Sequence, residues 1–243
     1  MSDHVNPARR RYSYLGPAGT FTEAALAQVP EAVGQDWHPV ANVGEALADV
    51  VSGASDAAMI AIENSVDGGV TVAQDALATI PGLRIIGEYL VPVRFLLVAR
   101  PGTTLEDASV VAAHPVAYGQ TRNWLDANAP GHRHIPASSN VQAAADLFAE
   151  GGVNAAVAPP GIVDHYDVDV LATGIGDNPN AMTRFVLVSR TAPIGTPTGA
   201  DKTSLIVELP EDRAGALLEL LEQFATRGVN LTLLASRPIG DRM

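Results

Sequence analysis

Short apolar runs alternate with stretches of helical period through the first 190 residues, and that alternation leaves few folds open. Tyr12–Leu15 reads as a strand, Gly16–Gly19 as a loop and Thr22–Gln28 as a helix. Val43–Val51 and Thr71–Ile80 have helical spacing on either side of a strand at Ala57–Ile62. Arg84–Ala99 is a long β-rich crossing interrupted by Pro92. The pattern then repeats: strand Val110–Ala113, helix Val116–Ala127, helix Asn140–Glu150, strand Ala155–Ala158 and a final strand at Phe185–Val188. Strands separated by helices of about 10–15 residues form βαβ units, so mainly parallel sheets are expected. Two compact sets emerge, and a ligand cleft between two α/β lobes follows, since binding sites favour such crevices.

The polar loop Asp177-Asn178-Pro179-Asn180 runs through Ala181 and Met182 into the last strand. A hydroxyl, a guanidinium and an aromatic ring stand there in succession, at Thr183, Arg184 and Phe185. A two-residue period sends Thr183 and Phe185 one way and Arg184 the other, whereas a later strand start lets the three converge. Arg offers a forked donor for a carboxylate, Thr a neutral donor and Phe a face for an apolar ring. The set suits a small, anionic, partly unsaturated ligand.

With 47% hydrophobic and 17% charged residues, the chain can fill a core. Its 27 acidic residues against 15 basic ones give a net charge of -12, which argues against a nucleic-acid face, because phosphate neutralisation needs clustered Lys and Arg. Cysteine is absent, so disulfides, thiolate metal sites and Cys nucleophiles are excluded. Met1–Arg11 is polar and basic with no apolar run behind it, unlike a signal peptide or membrane span. A cytoplasmic protein with a short disordered leader and no membrane partner is expected.

Gly16-Pro17-Ala18-Gly19-Thr20-Phe21-Thr22 joins strand to helix. It reads either as an anion cradle of backbone N–H groups and hydroxyls or as a tight turn with a capping Thr. It has no nucleotide P-loop ending, and no GxGxxG occurs. Glu63-Asn64-Ser65 lies at the carboxyl end of its strand, the ligand side of an open α/β sheet, with ordinary turn chemistry as the alternative. Ser138-Ser139-Asn140 is an N-cap cluster, though a cap serine can also face a ligand. His114 reads as structural or solvated. His132-Arg133-His134 lacks the further ligands of a metal site, and Asp164-His165-Tyr166-Asp167 reads as a solvated loop. No GxSxG or triad is evident.

Thr191–Ala200 is a linker by composition. Beyond it, a strand (Thr203–Leu209), a helix (Ala214–Arg227) and a strand (Val229–Ala235) make a β-α-β unit too small to bury both sheet faces alone. Either partner subunits complete it or the chain is truncated. The Val229–Ala235 strand offers an edge that invites pairing with another chain.

From Tyr12 onward these residues resemble the prephenate dehydratases. The resemblance rests on Gly16-Pro-Ala-Gly-Thr-Phe-Thr22, Ile62-Glu-Asn-Ser65, His114-Pro115 with Gln120, and Asp177-Asn-Pro-Asn180 leading to Thr183-Arg184-Phe185. The tail, with Gly215-Ala-Leu217, Gly228-Val-Asn-Leu-Thr232 and Ser236-Arg-Pro238, is similar to that family's ACT regulatory domain. Three segments depart from the family pattern: His114-Pro-Val-Ala117, Ala214-Gly-Ala-Leu217 and Ala235-Ser-Arg-Pro238. Only the first half of a β-α-β-β-α-β ACT unit is present.

The resemblance implies an α/β, bilobal catalytic domain like type II periplasmic binding proteins over residues 11–190. One lobe covers about 11–88 plus 178–190 and the other about 92–177. A linker at 191–202 and a partial ferredoxin-like ACT segment at 203–243 follow. It implies dehydration and decarboxylation of prephenate, a dianion, to phenylpyruvate in phenylalanine biosynthesis, with feedback by phenylalanine and a homodimer or homotetramer. Aromatisation of the ring absorbs the electrons, so no cofactor or metal is expected. Thr183 is then the catalytic donor. Arg184, Thr20, Phe21, Glu63, Asn64, Ser65, Ser139 and Phe185 are substrate-binding candidates, Phe185 either walling the site or filling core. Gly215, Ala216, Leu217, Asn230, Leu231, Ser236 and Arg237 are effector-binding candidates. An arogenate dehydratase and a non-catalytic bilobal anion-binding or sensor module are the competing readings.

Overall fold

Two sheets whose central strands are apolar on both faces organise the chain. In this computed structural model residues 9–66, 68–209, 211 and 213–236 are described. In chain order the elements are β1 (Arg11–Leu15), α1 (Phe21–Leu26), β2 (Asp36–Val40), α2 (Val43–Ser52), β3 (Ala57–Asn64), β4 (Gly68–Gly69), α3 (Thr71–Thr79) and β5 (Arg84–Pro92). They continue with β6 (Leu96–Ala99), β7 (Val110–Ala113), α4 (Pro115–Asn128), β8 (Arg133–Pro136), α5 (Asn140–Ala145), β9 (Ala155–Ala158), β10 (Asp169–Thr173), β11 (Met182–Ser189) and α6 (Ala216–Ala225).

The first sheet runs β2-β1-β3-β11-β5, with β4 paired to β3; the second runs β10-β6-β9-β7-β8. Every residue of β6 and of β9 is buried, as expected of strands covered on both faces. In the first lobe, one face packs Tyr12, Tyr14, Met59 and Phe185 against Leu26 of α1. The other packs Ile60, Val186 and Val188 against Leu47 of α2 and Ala73 of α3.

The sheets are mixed rather than mainly parallel. β1 is parallel to β2 and β3, and β7 to β8 and β9. But β11 is antiparallel to β3 and β5, and β6 to β9 and β10. The cause is the double crossing: β5 leads the chain out of the first lobe and β11 brings it back, so a returning strand must run opposite to its neighbours.

β2, β8 and β10, not foreseen in the sequence, lie at sheet edges, and β2 and β8 tolerate polar residues and a proline each (Pro39, Pro136). The helix expected to reach Glu150 ends at Ala145 and continues as a 3₁₀ turn, Asp146–Phe148.

The chain divides into two units, residues 1–196 and 197–243. In the second, α6 starts after Gly215, whose φ of 89° suits a residue without a side chain. The strands expected at 203–209 and 229–235 are not formed; both segments run without a ladder partner. A strand is defined by its neighbour, and the described residues of this unit supply none. Leu205, Ile206, Leu233 and Leu234 accordingly stay exposed.

Candidate active site at the lobe junction

The start of β11 is where three strands converge. Thr183 is registered against Asn64 of β3 and Val91 of β5. Because the strand begins at Met182, alternation sets Thr183, Phe185 and Leu187 on the α1 face and Arg184 on the opposite one. Arg184 therefore points away from the other two motif side chains. Phe185, 2% exposed, belongs to the first-lobe core.

Thr183 is 7% exposed, and its Oγ1 accepts a hydrogen bond of 3.0 Å from Asn64 Nδ2. The amide cannot be turned round, because Asn64 Oδ1 accepts the Val66 N–H at 2.8 Å. A threonine hydroxyl has one hydrogen and two lone pairs. With one lone pair engaged by an N–H donor, Thr183 keeps its own hydrogen for another acceptor. Ser65 clamps this corner: its N–H donates to Met182 O and its Oγ accepts from Met182 N, both at 2.9 Å.

Arg184 is not an open fork. Its Nε and Nη2 each lie 3.0 Å from Glu63 Oε2, and its Nη1 lies 3.2 Å from Glu88 Oε2. One guanidinium on β11 thus ties β3 to β5 beside a register shift between Arg184 and Phe185. Such a shift re-aims neighbouring side chains, and the ion pairs hold it in place.

In the glycine-rich loop, a Cβ on Gly16 would lie 2.5 Å from Pro39 Cβ, so only glycine lets β1 and β2 lie this close. Thr20 caps α1, accepting from Glu23 N at 3.2 Å and donating to Leu15 O at 3.1 Å. The Gly19 N–H is taken by the Glu23 carboxylate. Burial, together with that carboxylate as charge and hydrogen-bond acceptor, pushes the Tyr14 phenol up to about 12. Its neutral form is therefore favoured by folding. That stabilisation is complete below pH ~10 and lost as pH rises towards 12, on the order of 2–3 kcal/mol. An alkaline titration with urea melts at each pH should show this loss, and Tyr14→Phe should flatten it.

A cavity of about 260 Å³ opens between the lobes. Phe21, Ala24 and Val91 form its first-lobe wall, Pro160 comes from the second lobe, and Arg94 lies on the crossing segment. Val91 is the cross-strand neighbour of Thr183, so hydroxyl and cavity share one face of the sheet. Phe21 also meets Phe95 edge-on, with ring centroids 5.7 Å apart.

The remaining candidates lie elsewhere. Ser139 caps α5 in the second lobe, accepting from Gln142 N at 2.9 Å. His114 caps α4 through Nδ1. His132 and His134 flank Tyr118, one at 3.1 Å from its hydroxyl and one stacked on its ring at 3.8 Å, so both are spent on packing. No cluster of three or more metal-ligating side chains occurs among the described residues. Among these no helix is long and apolar enough to cross a membrane. Gly215 precedes α6 and Ala216 and Leu217 begin it; Asn230, Leu231 and Ser236 lie in exposed chain, and Arg237 is outside the described residues.

Sequence reasoning missed Glu88, Arg94 and His165. Each is a lone polar residue in an apolar or loop context with no motif around it. The segment read as a solvated loop begins at the last residue of a 3₁₀ turn, Pro160–Asp164, and leaves Asp164, His165 and Asp167 exposed, yet His165 reaches the first lobe.

The family model described as "Prephenate dehydratase" matches residues 12–193. A prephenate dehydratase of Mycolicibacterium vanbaalenii is 42% identical over 239 residues, 93% of this chain and 76% of that protein. A crystal structure of prephenate dehydratase from Arthrobacter aurescens, in complex with L-Phe, has 50% identity and a TM-score of 0.89 over 95% of this chain and 76% of that one. A structure described as GqqA, a novel type of quorum quenching acylase, has 26% identity and a TM-score of 0.75, covering 96% of this chain and 83% of that one.

Proposed function

The chain belongs to the prephenate dehydratase family, and we propose that the lobe junction around Thr183 carries out the conversion of prephenate to phenylpyruvate. The bond between the ring and its carboxylate breaks, the freed pair enters the ring, and the ring hydroxyl leaves. Carbon dioxide, water and the aromatic keto acid result, with one proton taken up by the departing oxygen.

The observation that carries this reading is the direction of the Asn64–Thr183 hydrogen bond. A hydroxyl that already accepts is poised to donate, and donation to an oxygen gaining negative charge strengthens in the transition state. Threonine of ordinary acidity is a poor proton donor, so Thr183 polarises the leaving group. An acylase nucleophile needs the reverse, a base accepting its proton; here the partner is an N–H donor.

The other roles follow from placement. Arg184, balanced by Glu63 and Glu88, holds β11 against β3 and β5 and so aims Thr183. Arg94, beside the cavity, is the cation that faces an incoming carboxylate. Phe21 and Val91 supply apolar walls that keep water from the ring, and a dry site favours loss of carbon dioxide from a carboxylate. Phenylalanine is the effector by analogy with the L-Phe-bound Arthrobacter protein, and the exposed leucines after residue 200 suit pairing with a second copy.

Incubating the full chain with prephenate at neutral pH and following phenylpyruvate absorbance tests the reading. Turnover well above the spontaneous rate is expected. Binding without turnover would make the protein an anion-binding module, and a strong preference for arogenate would reassign the substrate.

A further inference from the structure

We infer that His165 and Glu23 form a positioning strap between the lobes, joining the glycine-rich loop of the first to the 3₁₀ turn of the second. The loop and the turn are in direct contact. Gly19, at φ 90°, is packed so that an added Cβ would come within 3.3 Å of the His165 ring and 3.4 Å of Ile162. Gly161 faces the same backbone, its own added Cβ coming 3.7 Å from Gly19 Cα. Gly19, at positive φ, thus lets the His165 and Ile162 side chains pack directly on the loop backbone, with Gly161 at van der Waals distance from it.

Across this contact His165 Nε2 lies 3.1 Å from Glu23 Oε2. A carboxylate only accepts, so the imidazole donates. The same Glu23 oxygen also accepts the Gly19 N–H. The Glu23 side chain is 19% exposed and that of His165 35%, so the pair is open to solvent on the His165 side. Glu23 thus does two things at once. Within the first lobe it closes the cap of α1, reaching back to the loop while its own N–H binds Thr20. Between the lobes it is the acceptor to which the second lobe attaches.

The strap sits beside the interlobe cavity, since Gly161 and Thr20 both line it. Loosening it frees Gly19 and Thr20 from the 3₁₀ turn while Phe21 stays against Phe95, and so slackens one side of the wall that an aromatic precursor would pack against. His165 does not touch the reacting atoms; it acts through Glu23 and the loop. Its kinetic consequence rests on the dehydratase reading, whereas its geometric consequence does not.

The absence of cysteine allows a direct measurement. Ala54 in the first lobe and Ala127 in the second are exposed and suit spin labels after Ala54→Cys and Ala127→Cys. In the labelled full chain, His165→Ala should broaden the interlobe distance distribution, and His165→Gln, which keeps a side-chain N–H donor, should restore much of the parental width. In parallel, His165→Ala should raise KM for prephenate roughly three- to fivefold, the scale of one partly exposed charge-assisted contact, with kcat within about twofold. His165→Gln should recover most of that KM. A His165→Ala distribution that superimposes on the parent, or a Gln variant as broad as Ala, would overturn the strap. Absence of prephenate turnover in the parent would instead strike the dehydratase reading and leave the distance comparison to decide this one.

Discussion

Thr183→Ala is expected to lower kcat by about 10²–10³, the scale of one lost transition-state donor, while KM shifts by less than about threefold. The substitution removes the hydroxyl and leaves the strand intact, because the β11 ladder uses backbone groups and Asn64 is held separately through Val66. Asn64 Nδ2 then loses the Thr183 oxygen as an acceptor, and because Asn64 is only half-buried, water can take that place. Stability should therefore change little. Thr183→Ser, which keeps the oxygen, should retain most of the activity. Steady-state kinetics on the three proteins, with urea melts as control, decide the matter. Wild-type-like turnover in the alanine variant would remove Thr183 from the chemistry. A collapse in stability equal to the loss of rate would make its role structural.

What could be read from the sequence divides along a physical line. The strand Val110–Ala113 and the all-apolar Ala155–Ala158 were legible residue for residue because strands buried on both faces are continuous apolar runs. The edge strands β2 and β8 were not, because an edge tolerates Asp36, His38, Pro39, Arg133 and Pro136 and so breaks the pattern. Strand direction was misjudged for a different reason: period and composition say nothing of which lobe a strand returns to.

At the site, the opposite facing of Thr183 and Arg184 followed from a period of two. That the Arg184 guanidinium would be engaged by Glu63 and Glu88 did not follow. Glu63 is 121 positions and Glu88 96 positions away in sequence, and only the three-strand register brings them to it. His165, 142 positions from Glu23, was hidden in the same way.

The second large effect concerns the residue two positions from the hydroxyl. Phe185→Ala is expected to destabilise the first lobe by about 3–5 kcal/mol, the range for deleting a fully buried aromatic ring. Phe185 is 2% exposed among Tyr12, Tyr14, Met59 and Val91, with Leu26 of α1 above it. Those neighbours belong to strands and a helix that cannot all move inward, so the void would persist rather than close. Urea denaturation should show the midpoint falling with the slope unchanged. The alternative, Phe185 as a wall of the ligand site, predicts the opposite division: a raised KM with a stability loss below about 1 kcal/mol. Because Val91 lies both in this cluster and in the cavity wall, a void beneath it would also loosen the surface on which the ring packs. Activity measured well below the unfolding midpoint should thus fall as well, though by less than in Thr183→Ala, since the hydroxyl and its Asn64 partner would still be present.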